Sequence, residues 1–185
     1  INCWQYNTRS SLLTELLIQL GYPAPRKGKP VDELLAKINE WINKNRGVAV
    51  ALDEFDQLDE HNEIIYDLEM MNTDSENQVG LLMVSNQQPE TVELDPRSRS
   101  RLNCQTLQFK PYTADKITQI LQDRVDQAFR PGTVPSDTTQ KIAEIVADNS
   151  GDLRNALQLL LRAGRKADRE GEKEVSIDMI SRNSE

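Results

Sequence analysis

Apolar residues recur every three or four positions through 8–20, TRSSLLTELLIQL, so that Leu12, Leu13, Leu16, Leu17 and Leu20 would share one helical face before Gly21 stops the helix. The same spacing in VDELLAKINEWINKN puts Leu34, Leu35, Ile38, Trp41 and Ile42 on one side of a second amphipathic helix. A Pro- and Gly-punctuated basic loop, GYPAPRKGKP, separates the two. The period then changes. Val48-Ala49-Val50-Ala51-Leu52 runs apolar without a polar break after Gly47, the pattern of a strand buried on both faces. Residues 79–84, VGLLMV, repeat that pattern, and 59–72 between the two runs read as a helix. Two buried strands joined by a helix make a right-handed βαβ unit with parallel strands. Ile1-Asn2-Cys3 reads as the end of another strand, and 103–109 suggest one more. From Pro111 on, helical patterns at 113–129, 137–149 and 152–167 follow one another with no strand between them. The expected fold is therefore α/β, a partial parallel sheet with helices over 1–110, followed by a small all-helical domain over 111–185.

A hydrophobic content of 37% in 185 residues is enough for a core. The net charge of −8 and pI near 4.8 argue against a broadly basic nucleic-acid surface, though local basic patches must be sought separately. That acidity suits an ordinary acidic domain or a saline cytoplasm. No apolar stretch approaches the roughly 20 residues of a membrane span, and no basic-then-apolar leader is present, so the expected compartment is the cytoplasm, with no membrane partner. Cys3 and Cys104 lack metal-ligand spacing and are expected to be reduced core residues. The abrupt opening on Ile1 reads as a piece cut from a longer chain.

The chemistry collects at the strand ends. Asp53, Glu54 and Asp56 follow the first apolar run, and Ser85, Asn86 and Gln87 follow the second. In open parallel sheets ligands bind beyond the carboxyl ends of the strands. A carboxylate there suits Mg²⁺, which binds through one or two protein carboxylates plus phosphate and water. A second carboxylate next to it can deprotonate an attacking water, and an amide one strand over can position that water against a phosphate. The competing reading is that the acids only cap the following helix.

With these residues in view, LDEFDQL resembles the Walker B segment of AAA+ ATPases and VSNQ their sensor 1. GDLRNALQLL, 151–160, resembles the sensor 2 helix of their lid, and DPRSRSRL, 95–102, the segment that carries the arginine finger. Order and spacing are similar to the archaeal and eukaryotic replication-initiator branch, the origin-recognition and cell-division-control proteins, from Ile1 to about Ile180. The resemblance implies a RecA-like sheet with a helical lid. It also implies that Asp53 holds Mg²⁺, that Glu54 activates water and that Asn86 senses the γ-phosphate. Arg154 would reach the phosphates of its own subunit, and Arg101, with Arg97 as runner-up, would be the finger entering a neighbour's site. For the three arginines of 95–102 the competing reading is a solvated basic turn, and for Arg154 an ordinary helix-surface arginine.

The chain contains no GxxxxGK[ST] phosphate loop: in GYPAPRKGKP, Pro23 stands where the first glycine should be and Pro30 where the hydroxyl should be. The resemblance places that loop upstream of Asn2-Cys3, and a winged-helix domain after the lid. ATP or ADP with Mg²⁺ is thus expected in the parent protein and not in this chain alone, which would be inactive by itself. Arg26, Lys27 and Lys29 sit where this branch carries a DNA-touching insertion; a solvated turn is the alternative. The implied function is the central part of an ATP-dependent DNA replication initiator that hydrolyses slowly. Its partners would be origin DNA, neighbouring AAA+ subunits and the replicative helicase. Two alternatives stand: a clamp-loader-like subunit, disfavoured by Leu102 where Ser-Arg-Cys is usual, and a binding module without nucleotide chemistry.

Overall fold

A computed structural model describes residues 1–23, 28–44, 47–74, 79–88, 91–92, 94–102 and 104–181. The chain divides into two compact units, Ile1–Thr106 and Leu107–Glu185.

The first unit opens with α1 (Arg9–Gln19), whose start is fixed by a capping box: Thr8 accepts from the Ser11 amide while Ser11 Oγ accepts from the Thr8 amide at 3.2 Å. Its end is a Schellman turn, with Gly21 at φ +91° and the Tyr22 amide donating to the Leu17 carbonyl at 3.1 Å. Leu12, Leu13, Leu16 and Leu17 go into the core. Helix α2 (Val31–Asn43) buries Leu34, Ile38 and Ile42, and Trp41 Nε1 donates to the Leu20 carbonyl at 2.6 Å, tying α2 to the end of α1.

Strands β1 (Val48–Leu52) and β2 (Val79–Met83) pair in parallel from Val48↔Val79 to Leu52↔Met83. Asn2 bridges Asp53 on the other edge of β1. Helix α3 (His61–Asp74) connects the strands and sends Ile64, Ile65, Leu68 and Met71 into the same core. Neither strand is buried on both faces within the described residues: Val50 and Leu52 are buried, whereas Ala49, Ala51 and Gly80 are exposed and Leu82 is 61% exposed. An unbroken apolar run reports that both faces tolerate burial, and the helices described here cover one of them.

Two further expectations are corrected. Residues 104–109 form no strand, and Leu107 and Phe109 stand exposed, because apolar alternation makes a strand only where a neighbouring backbone completes the ladder. Cys104 is exposed. Cys3 does lie in the core, where burial pushes its thiol up to about 11 against the pull of the amino terminus.

A bidentate ion pair locks α1 to α3. Arg9 Nε and Nη2 donate to the two Asp67 carboxylate oxygens at 2.7 and 2.8 Å, and the Asp67 side chain is 4% exposed. Arg9→Met would strand that carboxylate. Because Arg9 itself is partly solvated, the expected loss is about 2–3 kcal/mol, below the full figure for a buried pair. Urea denaturation would measure it, and a loss under about 0.5 kcal/mol would show that the pair is replaceable by water.

After α3 and β2 comes the six-residue helix α4 (Pro96–Arg101), capped by Asp95. The second unit consists of α5 (Ala114–Ala128), α6 (Ser136–Asn149), α7 (Leu153–Glu170) and the helical turn α8 (Asp178–Ser181). Ile117, Leu121, Ile142, Val146, Ala156 and Leu160 form part of its separate core. The fold is thus a short parallel sheet with helices followed by an all-helical unit, as the pattern predicts. Among the described residues no helix is long and apolar enough to cross a membrane.

Candidate functional site

Pairing continues past the ends of β1 and β2. The Val84 amide donates to the Leu52 carbonyl and the Phe55 amide to the Val84 carbonyl, both at 2.9 Å, so the two strand ends stay side by side where the polar residues begin. Phe55 is buried and pins the single 3₁₀ turn Phe55–Gln57 against the core. The chain must reverse sharply between strand and turn, and Glu54 does it at φ +55°, ψ +45°. Outside glycine that left-handed backbone costs about 1–2 kcal/mol, so packing on either side holds it.

Asp53 is exposed, and its Oδ1 accepts from the Glu54 amide at 3.1 Å. Its backbone is clamped at both ends, the amide to the Ile1 carbonyl at 2.9 Å and the carbonyl to the Cys3 amide at 2.8 Å. Glu54 is half-buried and Asn86 exposed. Besides that backbone pairing, the Asp56 side chain links the polar residues of the two strand ends. Its Oδ1 accepts from Ser85 Oγ at 3.0 Å and from the Asn86 amide at 3.3 Å, and its Oδ2 accepts from Gln57 Nε2 at 2.8 Å. Burial alone would raise the Asp56 carboxyl. The donors from Gln57, Ser85 and Asn86 overcome it and hold the group below its ordinary value, so it is a carboxylate at neutral pH. Sequence reasoning placed Asp56 only within a DExD spacing; its hydroxyl and amide partners lie 29 and 30 residues further on.

The remaining candidates are spread more widely. Arg97 is exposed on α4, where Asp95 Oδ1 caps the Ser98 amide at 2.6 Å and buried Ser98 anchors the helix. This segment is therefore a capped helix and not a loose turn. Arg101 is its last residue, and the Arg101 side chain lies outside the described residues. Arg26 and Lys27 also lie outside the described residues; Lys29 precedes α2 and pairs with Glu33. In the second unit, Arg154 is exposed in the first turn of α7, its amide donating to the N-cap Asp152 at 2.8 Å. It borders an open cleft of about 470 Å³ lined also by Phe109, Tyr112 and Leu153.

The donor set at Asp53 is one exposed carboxylate on a fixed backbone. That fits Mg²⁺, which asks for one or two protein oxygens and fills the rest with phosphate and water. Among the described residues no group of three or more His, Cys, Asp or Glu is placed to hold a metal by protein ligands alone.

Residues 118–185 match the Cdc6 AAA+ ATPase-type lid domain family. The whole chain is 33% identical to an ORC1-type DNA replication protein of Pyrococcus abyssi, covering 100% of this chain and 46% of that protein. Among solved structures it is similar to the Aeropyrum pernix ORC1 protein in complex with DNA, at TM-score 0.80 and 29% identity over 97% of this chain and 47% of the other. It is similar also to Cdc6p from Pyrobaculum aerophilum, at TM-score 0.82 and 27% identity over 95% of this chain and 48% of the other. The chain spans about half the length of the curated relatives it matches.

Proposed function

The chain belongs to the origin-recognition and cell-division-control branch of the AAA+ ATPases, and from that premise we propose that it is the central part of an ATP-dependent initiator of DNA replication. The observation that carries the reading is the pair of strand ends tied together by Asp56, with Asp53 and Glu54 on one and Asn86 on the other. In this reading residues 1–110 are part of the nucleotide-binding domain and 111–185 its lid.

Asp53 would hold Mg²⁺, which when bound supplies positive charge against the phosphates. Glu54 takes a proton from the attacking water, and the left-handed backbone fixes where its carboxylate starts. Asp56 does not touch the reacting atoms in this scheme. It positions Asn86 by gripping the amide of that residue and the hydroxyl of Ser85, so that the Asn86 side chain can orient water or γ-phosphate. Arg154 acts on the subunit's own nucleotide. Arg101, or Arg97 in its place, acts on a neighbour's, which makes neighbouring AAA+ subunits partners. Arg26, Lys27 and Lys29 would meet origin DNA through phosphate contacts, and the replicative helicase would be the protein loaded, in the cytoplasm.

The amides of a phosphate loop supply most of the phosphate contacts in such a site, and this chain contains no such loop. Calorimetry should therefore find ATP binding at micromolar concentration with Mg²⁺ in the full-length protein, and none at that concentration in the 185-residue chain. Micromolar binding by the chain alone, or none by the full-length protein, would overturn the reading.

A further inference from the structure

Helix α7 concentrates positive charge in an acidic protein. Its 18 residues hold five of the chain's 22 lysines and arginines against two acids, Asp168 and Glu170. At about 3.6 residues per turn, Arg154, Arg162, Arg165 and Arg169 fall within an arc of about 80°, with Gln158 in the middle and both acids outside it. All four arginines are exposed. The opposite face, Ala156, Leu160, Ala163 and Ala167, is packed into the unit's core, so the rotation of the helix is set and the stripe faces outward.

Among the described residues nothing pairs with the stripe. Among the described residues none of the four arginines is in an ion pair, whereas Lys37 pairs with Glu40 on α2 and Lys141 with Glu144 on α6 at the same helical spacing. Arg154 at the start of the stripe is kept for the subunit's own nucleotide, and the guanidinium groups of Arg162, Arg165 and Arg169, in line over about 10 Å, suit a linear array of phosphates, which arginine grips bidentately. A protein partner would want an apolar centre to the contact, and Leu161 alone borders the stripe with an exposed apolar side chain.

We propose that this face of α7 docks on the sugar-phosphate backbone of duplex DNA, largely without regard to sequence. The inference rests on the reading that the parent works on DNA, and adds a contact in the helical unit to the basic loop at 26–29.

The test is fluorescence anisotropy with a short labelled DNA duplex of mixed sequence, over roughly 50 to 200 mM salt. The chain should bind, and binding should weaken as salt rises. The triple variant Arg162→Gln, Arg165→Gln, Arg169→Gln, with an unchanged circular dichroism spectrum, should flatten the slope of log K against log salt by about 2.7, the equivalent of three phosphate contacts. The corresponding Arg→Lys triple should keep the slope, which separates charge from folding. The variant Arg124→Gln, Arg130→Gln, Lys141→Gln removes the same charge from elsewhere on the unit and should leave the slope nearly as it was. The proposal is overturned if that control flattens the slope equally, if the chain shows no binding at the lowest salt, or if polyglutamate displaces the duplex at equal charge concentration, which would make the stripe a surface for acidic proteins. Repeating the triple variant in the full-length protein distinguishes the two readings. A full-length protein that binds duplex with an unchanged slope defeats the stripe alone, and one that binds no duplex defeats the DNA reading beneath it.

Discussion

With Glu54→Gln in the full-length protein, ATP turnover falls by a factor of about 10²–10⁴, the usual contribution of a positioned general base. Nucleotide affinity stays close to that of the parent, because glutamine keeps the size of the side chain and Asp53 keeps its carboxylate. The prediction depends on the local backbone. Glu54 sits at φ +55° between Asp53, whose amide and carbonyl are both hydrogen-bonded, and Phe55, whose ring is buried. Neither anchor involves the Glu54 carboxylate, so the substitution leaves the turn in place. Asp53→Ala should behave differently and weaken Mg²⁺-dependent binding as well as turnover. Single-turnover hydrolysis measured beside equilibrium binding separates the two cases. If both variants lost binding to the same extent, the division of labour between the two acids would be wrong.

Gly151→Ala should destabilise the helical unit by about 2–5 kcal/mol, made up of about 1–2 for a left-handed backbone and about 1–3 for overpacking. Gly151 lies at φ +61°, its amide donates to the Val146 carbonyl at 2.8 Å, and its carbonyl accepts from the Tyr112 amide at 3.1 Å. A Cβ there would come within 2.7 Å of Pro111 Cβ and 3.0 Å of the Tyr112 carbonyl oxygen. The backbone on both sides is held, so relief requires moving the start of α7 and Arg154 with it. Gly171 supplies the comparison: φ is +71°, and nothing lies within 4 Å of the position a Cβ would take. Gly171→Ala should therefore cost only the backbone part, about 1–2 kcal/mol. Equal losses for the two variants in chemical denaturation would show that the crowding at Gly151 relaxes freely.

The helices were legible in the sequence because the pattern that makes them is local. Leu12, Leu13, Leu16 and Leu17 lie within one or two turns of one another, and Thr8 with Ser11, or Asp152 with Arg154, sets a helix start from within a few residues. The apolar runs of β1 and β2 were equally plain, and so was the placement of Asp53, Glu54, Ser85 and Asn86 just beyond them. What failed depended on partners distant in the chain. Residues 103–109 have strand-like residues, yet 104–109 find no ladder partner; Cys104 looks like a core residue beside them and is exposed.

By itself, then, the sequence determined the long helices, the two paired strands, and the carboxylates at one strand end with the amide at the next. Tertiary structure alone decided that Asp56 ties the two strand ends together, that one face of the sheet is left uncovered by the described helices, and that the α7 arginines face outward, without an ion pair among the described residues. The physical reason is range. Helical periodicity and capping act over three or four residues and can be read directly from the chain, whereas a hydrogen bond from residue 85 to residue 56, or the burial of one helix face against another, exists only once the chain has brought distant segments into contact.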